Sequence, residues 1–354
     1  FGIPRPWLIE YLKIHGVTHD SEPFSSEEVA SRDVDEMVED ALQQKRRKLF
    51  QQYEIEKWRE TKKKADKWDK FELEVLDRLS EMIESSVPEY TIPVLQMDKA
   101  KQEYALVLSP TDFHWGMYAW GGESADPYNR EEAERRLFEH TQQILNRLPG
   151  SPEKILLAVG SDWFHVDGVT ASTTKGTAQD VDGTPTEILV TGCELVRSFV
   201  DLLRQVAPVE VFSMEGNHDE HNSKVLLLFL SAWYRHDEDV LVHKDWRPRL
   251  YTKYGQTLIG FHHGHKTPVK ELGACMAKEA RNMWSACKYH VFFGGHLHHH
   301  HVRDIGGITH YQLPSLAGSD AWSSGHGYVT SDPSLVAYIV EKKAGPTGWL
   351  KSSE

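Results

Sequence analysis

Lys154-Ile155-Leu156-Leu157-Ala158-Val159-Gly160-Ser161-Asp162-Trp163-Phe164-His165 is the stretch on which the fold turns. Its first half is a short unbroken apolar run ended by a Gly-Ser turn signal, which reads as a strand buried on both faces. Its second half delivers a carboxylate and an imidazole directly beyond the strand. The same two-part text recurs on either side. Tyr104–Leu108 is followed by Ser-Pro-Thr-Asp112-Phe-His114, and Val209–Met214 by Glu-Gly216-Asn217-His218-Asp219. Thr257–Phe261 runs into His262-His263-Gly264-His265, and Tyr289–Phe293 into Gly294-Gly295-His296-Leu-His298. Helical text separates the first four strands, at Arg130–Leu148, Glu187–Val206 and Lys224–His236. Such alternation predicts an α/β domain layered around buried sheets. In that class, functional groups collect beyond the carboxyl ends of strands.

The mixture of side chains at these strand ends has a chemical logic. Carboxylate oxygen, amide oxygen and imidazole nitrogen together suit borderline divalent ions such as Mn, Fe or Zn. A carboxylate can bridge two cations, so one Asp can define a pair roughly 3.5–4 Å apart. Asp-x-His and His-x-His put two ligands on one side of an extended segment, and Gly216, Gly264, Gly294 and Gly295 are expected to let the backbone bend sharply beside them. Core histidines and strand-end caps would explain any one block, but not five at successive strand ends.

The order D-x-H, G-D, G-N-H-[D/E], H-G-H, G-H-x-H resembles the signature of the calcineurin-like metallophosphoesterases over roughly Gln102 to Pro314. The resemblance implies two packed mixed β-sheets flanked by helices, and a phosphoesterase acting through a hydroxide held on two divalent metal ions, manganese foremost. It implies Asp112, His114 and His298 on the first ion, Asp162 bridging, and Asn217, His263 and His296 on the second. His218 would be the catalytic histidine near the scissile phosphate, acting as general acid or stabilising the leaving oxygen. Asp219, also placed in the catalytic set, would orient the loop or that imidazole. The family has Gly directly before the bridging Asp, whereas here Ser161 stands in that place. His299, His300 and His301 are expected at the surface or behind the ligands, and His165, His262 and His265 are read as structural.

The N-terminal text differs. Phe24 to Val87 holds no Gly or Pro and reads as a long charged helix, giving three expected regions: 1–23, 24–97 and the catalytic domain 98–354. Trp7, Leu8, Tyr11 and Leu12 suggest part of a helix-turn-helix in the first, beside Arg5 and Lys13. Apolar residues at helical spacing mark the arm's ends, Val34, Val38, Ala41 and Leu42, then Val75, Leu76, Leu79, Met82 and Ile83. Between Lys45 and Lys70, eleven Lys/Arg stand against five Asp/Glu, so this middle is a solvated arm, a partner-binding helix that makes a homo-oligomer, or a basic face for nucleic acid. Trp58 and Trp68 either stack on bases or pack helices. The net charge of −13 excludes a generic polyanion binder, and three cysteines without a CxxC pair argue against a disulfide framework. No apolar run reaches membrane-span length, so a soluble protein of the cytoplasm is expected.

One polar insertion, from Gly168 to Pro185, follows the bridging Asp and is expected at the mouth of the site, with Thr173, Thr174 and Lys175 donating to phosphate. With the helix-turn-helix-like start it makes the chain similar to phage-encoded metallophosphoesterases, which would place it in the host cytoplasm. The leading reading is a phosphodiesterase or nuclease acting on DNA. The alternatives are a phosphatase or diesterase for small nucleotides whose N-terminal helices serve oligomerisation, and a non-catalytic DNA-binding scaffold.

Overall fold

The computed structural model describes residues 43, 45–63, 66, 67, 70 and 74, then 102–124, 126–318 and 332–353. The chain divides into two compact units, Phe1–Asp66 and Lys67–Glu354, so the boundary falls inside the stretch read as one arm. In the first unit, residues 45–63 are helical and exposed throughout, as a segment with so few apolar positions must be. Its large apolar side chains Leu49, Phe50, Tyr53, Ile55 and Trp58 are exposed with the rest. The expected helix-turn-helix segment, the apolar ends of the arm and Trp68 lie outside the described residues.

Two mixed sheets flanked by helices make the second unit. The first sheet runs β11-β10-β1-β2-β3-β4, and the second β5-β6-β7-β9-β8. β1 (Tyr104–Leu108), β2 (Lys154–Gly160), β3 (Val209–Met214) and β4 (Val240–Val242) are parallel neighbours. In the second sheet β6 (Thr257–His262), β7 (Tyr289–Gly294) and β9 (Ile308–Gln312) are parallel, with β5 (Arg249–Tyr254) and β8 (His301–Ile305) antiparallel at the edges. The antiparallel hairpin of β10 (Val336–Glu341) and β11 (Gly345–Lys351) completes the first sheet beside β1.

Strand alternation sorts the core. Leu106, Leu108, Leu157 and Val159 pack with Leu137, Phe199 and Leu226, which belong to helices α1 (Arg130–Asn146), α2 (Pro185–Leu203) and α3 (Asn222–Trp233). Their neighbours Ala105, Val107, Leu156 and Ala158 face the other way, into Phe261, Val291 and Phe293 of the second sheet. The outer face of that sheet, through Leu258, Phe292 and Ile308, is closed by Leu272 and Met276 of α4 (Leu272–Glu279), which is followed by the short α5 (Arg281–Ala286). Each fully buried Leu, Val or Phe contributes about 1.5–3 kcal/mol, and this burial fixes the strands whose ends carry the loops. α2 begins two residues before the apolar periodicity, because Thr184 and Glu187 close a capping box with Pro185 in the first turn. No helix among the described residues is long and apolar enough to cross a membrane.

Candidate metal centre

The carboxyl ends of β1, β2 and β3 in one sheet meet those of β6 and β7 in the other. Among the bonds that tie the sheets together there, the His296 amide donates to Asp112 Oδ2 at 2.7 Å, and Ser161 Oγ lies 2.8 Å from His263 Nδ1. All five strand-end blocks thus contribute to one place. Asp112, His114 and His298 bring their ligating atoms within 4.8 Å of one another, as do Asp162, His263 and His296. Asn217 joins the second group, its Oδ1 2.9 Å from His263 Nε2, which also sits 3.1 Å from Asp162 Oδ2.

The backbone reaches these positions by a route the sequence does not announce. Among the described residues, six other than glycine take left-handed φ values, and all six are here: Asp112 (53°), His114 (50°), Ser161 (59°), Asp162 (60°), His296 (75°) and His298 (53°). The Asp-x-His and His-x-His pairs are therefore not extended segments. Left-handed backbone costs an L-residue roughly 1–2 kcal/mol, and such strain gathers where the surroundings over-determine a functional geometry. The glycines also serve differently from expectation. Gly264 has positive φ, but Gly216 and Gly295 are glycine because carboxylates approach them: a Cβ would lie 1.9 Å from Asp162 Oδ1 at the first and 2.4 Å from Asp112 Oδ2 at the second.

Charge fits a cation. Burial pushes the Asp112 carboxyl up, but the His298 imidazole outweighs it and holds the group below the usual carboxylate range. Asp162 is likewise held down, His263 overcoming its burial. His263 in return is raised: burial opposes its protonation, and the Asp162 carboxylate overrides that to reach about 9. His114 moves well below 6.5, through burial and then the repulsion of His218 and His165. Asp112 Oδ1 is buried without a hydrogen bond, its neighbour His298 Nε2 standing 3.3 Å away. Two ionised buried carboxylates, an orphaned carboxylate oxygen and imidazole nitrogens facing them are a donor set that divalent ions complete.

Around these residues the loops are pinned. Asp219 is fully buried and accepts from the amides of Gly216 (2.9 Å), Asp162 (3.2 Å) and Phe164 (3.2 Å). Burial, then the charge of Asp162, push its carboxyl up to about 8 against the amides that favour its charged form. Its bonds thus tie the β2 and β3 loops, whereas the His218 imidazole is oriented by another group, Nδ1 donating to the His165 carbonyl at 3.0 Å. The His218 amide donates to Asp162 Oδ1 at 2.7 Å.

The insertion is stapled rather than free. Thr174 Oγ donates to Asp167 (2.8 Å) and accepts from the Glu220 amide, while Thr173 Oγ accepts from the Thr177 amide within its own turn. Asp167 in turn caps α3, accepting from the amides of His221 and Asn222. These two hydroxyls, expected to donate to phosphate, take part in bonds that hold the loop. Lys175 stays exposed near its tip.

Against the structural role its sequence context suggests, His165 has its Nδ1 3.2 Å from His114 Nδ1, and the two with His218 form a third close group. The Asp162-x-x-His165 spacing within one block is the signal that points to it. His265 also faces the centre, its ring 5.0 Å from that of His263 and its proton affinity lowered to about 4, chiefly by burial and then by His263. His262 instead pairs with His310, nitrogen to nitrogen at 2.9 Å, in the core behind. His299 and His301 are exposed, and His300 bonds the Tyr338 hydroxyl.

No family model and no curated protein matches the chain. Solved structures do align with it. Vps29 of Entamoeba histolytica, complexed with zinc, aligns over 70% of this chain and 97% of its own at 17% identity and a TM-score of 0.29. A novel archaeal phosphodiesterase aligns over 70% and 98% at 11% identity and a TM-score of 0.35. A predicted phosphoesterase from Streptococcus pneumoniae covers 72% and 99% at 11% and 0.29. At such values these likenesses carry nothing about the chemistry of this chain, which rests on its own residues.

Proposed function

We propose that this chain is a hydrolase of phosphate esters that works with two divalent metal ions, of the kind its sequence motifs resemble. The observation that supports it most is the pairing of two Asp-His-His groups across the meeting edge of two sheets, with Asp112 Oδ1 buried and without a hydrogen bond. Asp112, His114 and His298 would hold one ion, and Asn217, His263 and His296 the other, with Asp162 between them; the donor set suits manganese, iron or zinc. When bound, such a pair lowers the pKa of water and neutralises phosphoryl oxygens in a displacement at phosphorus.

The chain's own residues supply the remainder. His218 has its Nδ1–H committed to the His165 carbonyl, which leaves Nε2 to hold or deliver a proton to a leaving oxygen. Asp219 keeps that histidine in place only indirectly, by clamping the loops on which Asp162 and His218 ride.

For substrate, the reading is a DNA phosphodiester. Its support is the exposed helix 45–63, where Lys45, Arg46, Arg47, Lys48, Lys57, Arg59, Lys62 and Lys63 face three Glu; such a cation surplus binds nucleic-acid backbone in a salt-dependent way. A labelled oligonucleotide and bis-p-nitrophenyl phosphate, each with Mn²⁺, test it. Cleavage of both supports the proposal. Hydrolysis of the small diester alone removes DNA as substrate, and DNA binding without hydrolysis under any divalent ion removes the enzyme.

A further inference from the structure

Ser161 stands where the resemblance calls for glycine, and its backbone shows why glycine would suit: φ is 59° and the residue is fully buried. An L-side chain in left-handed backbone is strained, so a serine kept there calls for a use of its hydroxyl. That hydroxyl lies 2.8 Å from Nδ1 of His263, which is itself 2% exposed. We propose that Ser161 is a positioning residue that fixes the ring and the tautomer of His263, and through it the second ion's site.

The inference rests on the dinuclear reading above. His263 Nε2 points at Asp162 Oδ2 (3.1 Å) and Asn217 Oδ1 (2.9 Å), the two oxygens it would share a cation with. For Nε2 to offer its lone pair, the one remaining ring proton must sit on Nδ1, and a buried N–H needs an acceptor. Ser161 Oγ is that acceptor. The serine is also anchored on three sides. Its amide donates to the Met214 carbonyl at 2.7 Å, and its carbonyl accepts from the Asp112 amide at 2.9 Å. Its side chain then reaches from the β2 loop of the first sheet to the β6 loop of the second. One residue therefore sets the position of His263 relative to the carboxylates of both groups. Glycine would relax the backbone and leave the imidazole without its partner.

Two variants separate strain from positioning. Ser161→Gly removes both the strain and the hydroxyl, while Ser161→Ala keeps the strain and removes the hydroxyl. Mn²⁺ titration calorimetry is read beside thermal melting of the metal-free proteins. The proposal expects Ser161→Ala to melt below Ser161→Gly, since both lose the hydroxyl and only Ala keeps the strain. It expects both to bind one Mn²⁺ with unchanged affinity and the other roughly 10–100-fold more weakly, the range for loss of a partner behind a metal ligand. If Ser161→Gly binds both ions as tightly as the wild type, Ser161 is a tolerated substitution and the proposal is overturned. Should the wild type itself bind fewer than two ions, the dinuclear reading falls, and the inference falls with it.

Discussion

The two Asp-His-His groups look alike in composition and differ in what they do with protons. In the group of Asp162, His263 and His296, the imidazole of His263 is buried, sits against a carboxylate and holds its proton up to about 9. In the group of Asp112, His114 and His298, His114 is pushed well below its ordinary value by burial and by two histidine neighbours, while half-buried His298 is raised, Asp112 outweighing burial. A proton therefore sits in the second group where a cation would, and in the first an oxygen of Asp112 is left without a hydrogen bond. The difference teaches that the two ions would meet different proton holders: at the second group His263, held up to about 9, and at the first the Asp112–His298 pair at 3.3 Å, beside His114, whose proton affinity is pushed well down.

The largest test of that contrast is Asp162→Asn. It removes the charge that raises His263 and an oxygen from the second group at once. Hydrolysis of bis-p-nitrophenyl phosphate with Mn²⁺ should fall roughly 10³-fold, the scale for losing preorganised charge stabilisation, and the titration should show at least one Mn²⁺ lost. A variant retaining both ions and full turnover would remove Asp162 from the centre. His218→Ala is the counterpart: turnover should fall about 10²–10⁴-fold, as for a general acid, with both ions retained. Loss of metal in that variant would make His218 a ligand rather than a proton donor.

Glycine substitutions address the groups unequally. Ala at 216 would put a Cβ 1.9 Å from Asp162 Oδ1, and Ala at 295 one 2.4 Å from Asp112 Oδ2, both buried carboxylates without room to retreat. Each should destabilise the metal-free protein by about 1–3 kcal/mol, as overpacking does. Gly295→Ala should lose the ion at Asp112, His114 and His298 first, whereas Gly216→Ala, which displaces the carboxylate set between the two ions, should weaken both, read as metal content after dialysis. Equal loss of both ions in Gly295→Ala would mean that the groups are one cooperative site.

What the sequence displays of all this follows from burial. β1, β2, β3, β6 and β7 are legible because they are covered on both faces over most of their length and so read as mostly apolar runs, broken at Glu210 in β3 and His290 in β7. β8, exposed along nearly its whole length, and β11, with Pro346 and two glycines, carry no such signal and owe their place to pairing with β9 and β10. At the centre, ligand-type residues are visible as blocks because a block is local. The left-handed backbone beneath five of them and beneath Ser161, the Ser161–His263 bond across 102 positions and the His114–His165 contact across 51 are not. They arise only when separate strand ends meet, and no periodicity encodes that meeting.

The finest expected effect is on protons, and it bears on the contrast most directly. The pKa of His263 is raised from about 6.5 in an unfolded chain to about 9 in the fold. Its contribution to the stability of the metal-free protein is thus fully present below about pH 6.5 and is lost as pH rises through about 9. At pH 7 the imidazole is charged, and a cation taking its Nε2 must displace that proton. Mn²⁺ titration at pH 7 in two buffers of different ionisation enthalpy should therefore report release of about one proton for the ion at Asp162. The affinity for that ion should rise by up to about tenfold per pH unit until pH reaches about 9. His114, whose proton affinity is depressed, gives up no proton in the other group, so any release there comes from His298 alone. In the metal-free protein Asp162→Asn should lower the pKa of His263, read by NMR titration of the imidazole, because without the carboxylate burial returns His263 toward its neutral form. A wild type that binds two ions at pH 7 with no proton release in either buffer would erase the difference between the groups.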